Sequence, residues 1–194
     1  AEYYGLEQTS ADYYAQTNLA DGWIYNDSFD DDSVDKIGEF SAQTDRQDVV
    51  QSVADIENNP DVTLHFVENG TVSKFYSTEG SDFNPSDDSG VWLDARFAEA
   101  QDLNVGDNIT FEFYGFEITK EIKGIGYSPE YIYEFSPSSL TPDFSQLGFA
   151  YLSHESYPGD LEYNTLLVKY DLSDDDFKAK LDDSLDYSSF TKQE

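Results

Sequence analysis

The stretch NITFEFYGFEITKEIKGIG (108–126) constrains the fold more than any other part of this chain. Ile109, Phe111 and Phe113 fall on one face of an extended strand and Thr110, Glu112 and Tyr114 on the other, a period of two that a helix cannot satisfy. Gly115 interrupts it, which predicts two short paired strands or one bent strand. The same alternation recurs in VTLHFVE (62–68), with Val62, Leu64 and Phe66 on one face. Strands are also expected at LADGWIYND (19–27), RQDVVQSVADIE (46–57), GVWLD (90–94), SPEYIYEF (128–135), LGFAYLS (147–153) and NTLLVKYDL (164–172). Asn69-Gly70 is a strong hairpin signal, and TVSKFYST (71–78) is expected as the returning strand.

Helical periodicity is confined to a few segments. Residues 1–18 place Tyr3, Leu6, Tyr13, Tyr14 and Thr17 near helical spacing, so a helix is expected to enter the domain. Val34, Ile37 and Phe40 follow an Asp30-Asp31-Asp32-Ser33 cluster, and acids and Ser suit a helix N-terminus, where free N–H groups and the dipole favour negative charge. ARFAEAQDL (95–103) suits a short helix ending at Asn104-Val105-Gly106-Asp107. Ser173-Asp174-Asp175-Asp176 caps a final helix with Phe177, Leu181 and Leu185 at intervals of four. Strands outnumber helices without alternating regularly with them, so the expected class is α+β with a mixed, mostly antiparallel sheet.

Charge narrows the partners. Asp and Glu number 41 against 10 Lys and Arg, a formal net charge of −31. Such a field repels phosphate backbones and anionic lipid, which excludes a nucleic-acid binder of the usual kind. Aromatic residues make up 16% of the chain, enough to offset chain entropy where an acidic disordered chain could not. The charge would steer cationic peptides toward the surface; its plainer meaning is solubility.

Little in the sequence carries chemistry. No Cys is present, which removes disulfides, thiolate metal sites and Cys nucleophiles. His65 lies within an alternating strand and His154 precedes Glu155 in a loop; both read as structural or solvent-facing. No GxSxG, HExxH or GxxxxGKS motif occurs, and no cofactor motif. The one calcium candidate is DFNPSDDSG, where Asp82, Asn84, Ser86 and Asp88 alternate like half of an EF-hand loop. Asp87 stands where that loop needs Gly, and Leu93 where it needs a bidentate acid. Trp92, Tyr131 and Tyr133 could line a groove, but aromatic residues at strand spacing are more often core.

The stretch 90–134 resembles the extracytoplasmic, MacB-like periplasmic core domain of FtsX-like ABC transporter permeases. The likeness rests on Val91-Trp92-Leu93, Phe97-Ala98, Leu103, Val105-Gly106-Asp107, Ile109, Gly124-Ile125 and Ser128-Pro129-Glu130-Tyr131-Ile132-Tyr133. NLADGWIY (18–25) and PDFSQLGFAYLS (142–153) extend it weakly. Val105, Gly106, Asp107, Ser128, Pro129, Glu130, Tyr131 and Tyr133 read as folding residues in such a motif, because a Gly-Asp turn and a strand-starting Pro serve architecture.

The resemblance implies a single extracytoplasmic domain over 1–194 in two lobes, one from about 1–40 plus 90–194 and the other from about 45–85. It implies membrane attachment through the protein's own transmembrane helices, a partner permease subunit, a separate cytoplasmic ATPase subunit, and a peptide or lipoprotein substrate that is moved, extracted or sensed outside the membrane. ATP hydrolysis would reside in the other subunit, so the domain itself is not expected to be an enzyme. Met is absent too, as expected of a piece taken from between two membrane helices, and such a piece should have its two ends close together. A free-standing acidic binding module would not need adjacent ends, and a carboxylate-pair enzyme would need a deep aromatic cleft.

Overall fold

The computed structural model describes residues 16–131 and 142–194. Its strands are β1 (Gly22–Tyr25), β2 (Gln43–Ala54), β3 (Asp61–Val67), β4 (Tyr76–Gly80), β5 (Gly90–Asp94), β6 (Asn108–Phe113), β7 (Phe116–Tyr127), β8 (Leu147–Ser153), β9 (Thr165–Lys169) and β10 (Ser189–Lys192). The helices are α1 (Asp31–Gly38), α2 (Ala95–Ala100) and α3 (Asp174–Ser184), with a single 3₁₀ turn at His154–Ser156. The fold is α+β around one large mixed sheet, and most neighbours in it are antiparallel.

Part of this sheet closes on itself. β2 pairs with β3, β3 with β8 in parallel, β8 with β5, β5 with β7 in parallel, β7 with β6, and β6 returns to β2 through Val53↔Glu112 and Ala54↔Phe111. The interior of this six-stranded barrel is filled by Val50, Ala54, Leu64, Phe66, Val91, Leu93, Ile109, Phe111, Ile122 and Leu152, all buried. Inward residues thus alternate with outward ones, the filling rule for small barrels. Phe97 and Ala98 of α2 pack into the same core, with the Phe97 ring against Gly148 at the start of β8. A side chain at Gly148 would meet that ring at 2.6 Å, so the glycine lets α2 seat.

Beyond the barrel the sheet continues as β9-β1-β10. The first half of β2 pairs with β9 (Gln43↔Lys169 to Gln47↔Thr165), while its last residues pair with β6. One long strand therefore belongs to both parts. On one face of the extension Ile24, Leu166 and Val168 pack under α1 and α3, through Phe29, Ile37, Phe177 and Leu181. Tyr170 stacks on Phe177 with ring centroids 4.0 Å apart. Both helices start as their sequences indicate: Asp30 accepts from the Ser33 N–H at 2.8 Å and Ser173 from the Asp176 N–H at 3.1 Å.

Several expectations are corrected. TVSKFYST does not return alongside β3, whose neighbours are β2 and β8; its last residues form β4, which pairs with β7. The Asp45 carboxylate explains the diversion, because it accepts the N–H groups of Asn69 at 3.1 Å and Thr71 at 2.8 Å and holds the turn over the sheet face. SPEYIYEF does not begin as a strand: Ser128–Tyr131 is a turn, closed by the Tyr131 N–H donating to the Ser128 carbonyl at 3.1 Å. Residues 132–141, Tyr133 among them, lie outside the described residues, as does most of the expected entry helix. Within 45–85, β2 and β3 are barrel staves alongside β5–β8. β10 carried no sequence signal and forms the sheet edge beside β1.

Candidate functional site

β1 and β10 bring the beginning and the end of the described chain together. They pair antiparallel from Gly22↔Lys192 to Tyr25↔Ser189, and the Gln193 N–H donates to the Asp21 carbonyl at 2.9 Å. The Asp21 carboxylate is itself anchored, accepting from the Tyr170 N–H at 3.0 Å and meeting Lys169 Nζ at 3.3 Å. Lys169 also donates to the Leu19 carbonyl at 2.9 Å. Residues 19–25 and 189–193 thus form one junction, pinned to β9.

Behind this junction, on the face away from α1 and α3, lies a layer of buried polar groups under the 69–75 loop and the 128–131 turn. Trp23, Leu167 and Asp45 stand in one row across β1, β9 and β2. The Ser73 N–H and Lys74 N–H donate to the carbonyls of Asn18 and Thr17, and the Ser73 hydroxyl accepts from the Ala20 N–H at 3.1 Å. Tyr151 joins loop to turn: its hydroxyl lies 2.8 Å from that of Ser128 and donates to the Ser73 carbonyl at 3.0 Å.

Two members of the Ser128-Pro129-Glu130-Tyr131 turn reach inward. The Tyr131 ring stacks on Phe149, centroids 4.2 Å apart, and its hydroxyl meets His65 Nε2 at 2.5 Å. His65 Nδ1 contacts Gln47 Oε1 at 2.8 Å, so Nδ1 carries the proton and Nε2 accepts from Tyr131. Burial depresses the His65 pKa to about 3. Among the described residues, Glu130 Oε2, Trp23 Nε1 and Gln47 Nε2 are enclosed with no hydrogen bond of good geometry. Burial pushes the Glu130 carboxyl up to about 7; Ser73 and Trp23 oppose the shift and the Asp45 charge adds to it. Burial likewise pushes Asp45 up to about 6, against the backbone N–H groups it accepts.

The remaining singled-out residues have other places. Gly106 takes φ +98° and its N–H donates to the Ile122 carbonyl, while Asp107 accepts from the Asn104 N–H, so Val105-Gly106-Asp107 starts β6. Val105 is exposed. The Asn84 side chain accepts the Ser86 N–H, and the Asp88 carbonyl accepts from Lys120 and Ser156. The loop holding Asp82, Asn84, Ser86 and Asp88 is therefore tied to its own turns and to β7. No group of three or more His, Cys, Asp or Glu side chains that could hold a metal occurs among the described residues. Trp92 is core, its indole N–H donating to the Ser81 carbonyl at 3.0 Å. Sequence reasoning missed Asp45, Ser73 and Trp23 as neighbours of Glu130, because they come from segments distant along the chain.

No family model matches the chain, and no curated protein matches it. Solved structures do. The extracellular domain of the noncanonic ABC-type transporter YknZ from Gram-positive bacteria aligns with a TM-score of 0.57 at 16% identity, over 89% of this chain and 98% of that one. The periplasmic region of MacB from Actinobacillus actinomycetemcomitans aligns with a TM-score of 0.49 at 12% identity, over 82% of this chain and 79% of that one. No described helix is long and apolar enough to cross a membrane. The chain shares the fold of the extracellular domain of that noncanonic ABC-type transporter.

Proposed function

We propose that this chain is the outer domain of an ABC transporter permease, held between two membrane helices and moved by an ATPase subunit on the other side. The observation that carries the reading is the β1–β10 junction, with Gln193 bonded to Asp21. A domain inserted between neighbouring helices must receive and return its chain at one place, and a hydrogen-bonded strand pair transmits displacement of either helix as one unit. In this reading the two lobes are the barrel and the β9-β1-β10 extension under α1 and α3, with β2 running through both. Motion of the membrane helices enters through the extension and reaches the barrel along β2, where it acts on a peptide or lipoprotein outside the membrane.

The test uses the full-length protein in intact cells. A cysteine at the exposed Tyr114 should react with a membrane-impermeant maleimide without lysis; labelling only after lysis would overturn the reading. Copurification of an ATPase subunit with the full-length protein, and its loss when the flanking helices are replaced, tests the partner assignment.

A further inference from the structure

The barrel has two unlike ends. Phe97 closes the one where β8 begins. At the other, Asp27, Asp48, Val50, Tyr114, Tyr157 and Glu162 are among the lining of an open cleft of about 260 Å³, completed by Asp160 and Asn164. Its floor is Val50 of the barrel core, and Tyr157 packs edge-on to Phe66 at 5.1 Å and against Phe113 at 6.0 Å.

The cleft opens where the sheet has a gap. β2 leaves β9 after Gln47↔Thr165 and meets β6 only at Val53↔Glu112. Between them Asn164 substitutes for a strand, its Oδ1 accepting the Val49 N–H at 2.9 Å and its Nδ2 donating to the Val49 carbonyl at 2.8 Å. Strand alternation sends the N–H and C=O of the exposed Gln51 to the same edge.

The β6–β7 turn overhangs this gap. Tyr114 takes φ +50° and Gly115 φ +80°, a two-residue turn of the type that favours Asn-Gly. The chain places there an aromatic residue that is 73% exposed. All charged groups lining the cleft are acidic. Elsewhere the protein seats its own guanidinium on this combination of groups: Arg46 lies 4.7 Å over the Tyr163 ring and pairs with Asp31 and Glu68.

We propose that the barrel mouth is a docking site for an arginine side chain of a polypeptide partner, the guanidinium lying between Tyr114 and Tyr157 and pairing with the surrounding carboxylates. Planar, weakly hydrated guanidinium suits aromatic faces and forked carboxylate contacts better than ammonium does. The cleft is below the ~300–1,000 Å³ of sites for whole small ligands, which favours a single side chain. The free edge at Gln51 can take the partner's backbone. Burial holds Asp48 up at about 6, helped by the charge of Glu162 and opposed by the Asn164 N–H. A guanidinium favours the ionised form, so docking releases a proton from Asp48 below pH 6 and strengthens with pH; Asp27, Asp160, Glu162, Tyr114 and Tyr157 are the other titratable groups lining the cleft.

The experiment titrates the ¹⁵N-labelled 194-residue chain with acetyl-Ala-Arg-Ala-amide, with the lysine analogue, and with the neutral citrulline analogue. The arginine peptide should shift the Tyr114, Gly115 and Asn164 amides saturably, the lysine peptide more weakly and the citrulline peptide not at all. Binding should be about tenfold tighter at pH 7 than at pH 5. Tyr114→Gly should weaken it about fivefold, and Asp48→Asn should remove the pH dependence. Shifts that spread over the acidic surface, equal responses to lysine and arginine, or binding unchanged in Tyr114→Gly would overturn the proposal. Tyr114→Gly decides the matter even where Asp48→Asn does not fold, because the turn tip is exposed.

Discussion

The Gln193 N–H donates to the Asp21 carbonyl at 2.9 Å, joining residues from opposite ends of the described chain in one strand register. That contact can be tested covalently. With no native Cys, the pair Asp21→Cys and Gln193→Cys should form a single disulfide under mild oxidation. Directly opposed strand residues lie within the ~4.4–6.8 Å Cα separation that a disulfide requires. Non-reducing electrophoresis should show the cross-linked monomer, and persistence of two free thiols would count against the junction.

Stability should fall on both sides of an acidic maximum, with Glu130, Asp45 and Asp48 feeding the alkaline limb and His65 the acid limb. Glu130 has a raised folded pKa of about 7, so its contribution is complete below its unfolded pKa and fades as pH rises through 7. Loss of that contribution costs on the order of 2–3 kcal/mol. His65 has a lowered folded pKa of about 3, so its contribution is complete above its unfolded pKa and fades as pH falls toward 3. Urea unfolding from pH 4 to pH 8 should show Glu130→Gln flattening the alkaline limb and His65→Gln the acid limb. Unchanged pH profiles in both variants would refute the assignment.

Among the described glycines, Gly126 leaves the least room for a side chain. A Cβ there would lie 1.9 Å from the Tyr76 carbonyl oxygen, so Gly126→Ala should break the β4–β7 pairing. A loss of about 2–4 kcal/mol is expected, in the range of other backbone-clash and overpacking substitutions. Rapid hydrogen exchange confined to 76–80 and 124–127 would mark the lesion; wild-type protection there would show that the sheet accommodates the methyl.

Tyr114 should respond in the opposite sense. Its left-handed backbone costs an L-residue with no local hydrogen bond roughly 1 kcal/mol, which Asn or Gly relieves. Tyr114→Asn is therefore expected to raise the melting temperature by a few degrees, and a lower melting temperature would show that the ring contributes packing at the barrel mouth.

What could be read from residues alone was whatever depends on near neighbours in sequence. Period-two alternation gave away the β6–β7 hairpin, and the capping acids marked the starts of α1 and α3, since strand faces and helix caps are set within a few residues. Asn69-Gly70 misled for the same reason. It is a good turn, but Asp45, more than twenty residues upstream, captures its N–H groups. Ser128-Pro129-Glu130-Tyr131 was legible as a motif and not as a clasp, because the meaning of a glutamate depends on whether water can reach it.

The sequence by itself determined the class of fold, the strand-forming and helix-capping segments, and the excess of negative charge. Only the tertiary structure decided that six strands close into a barrel, that β10 lies beside β1, and that Glu130 and Asp45 share one enclosed layer. Closure, adjacency and burial are long-range contacts between segments that carry no local mark of one another, and desolvation, which shifts these carboxyls, exists only once those segments have packed.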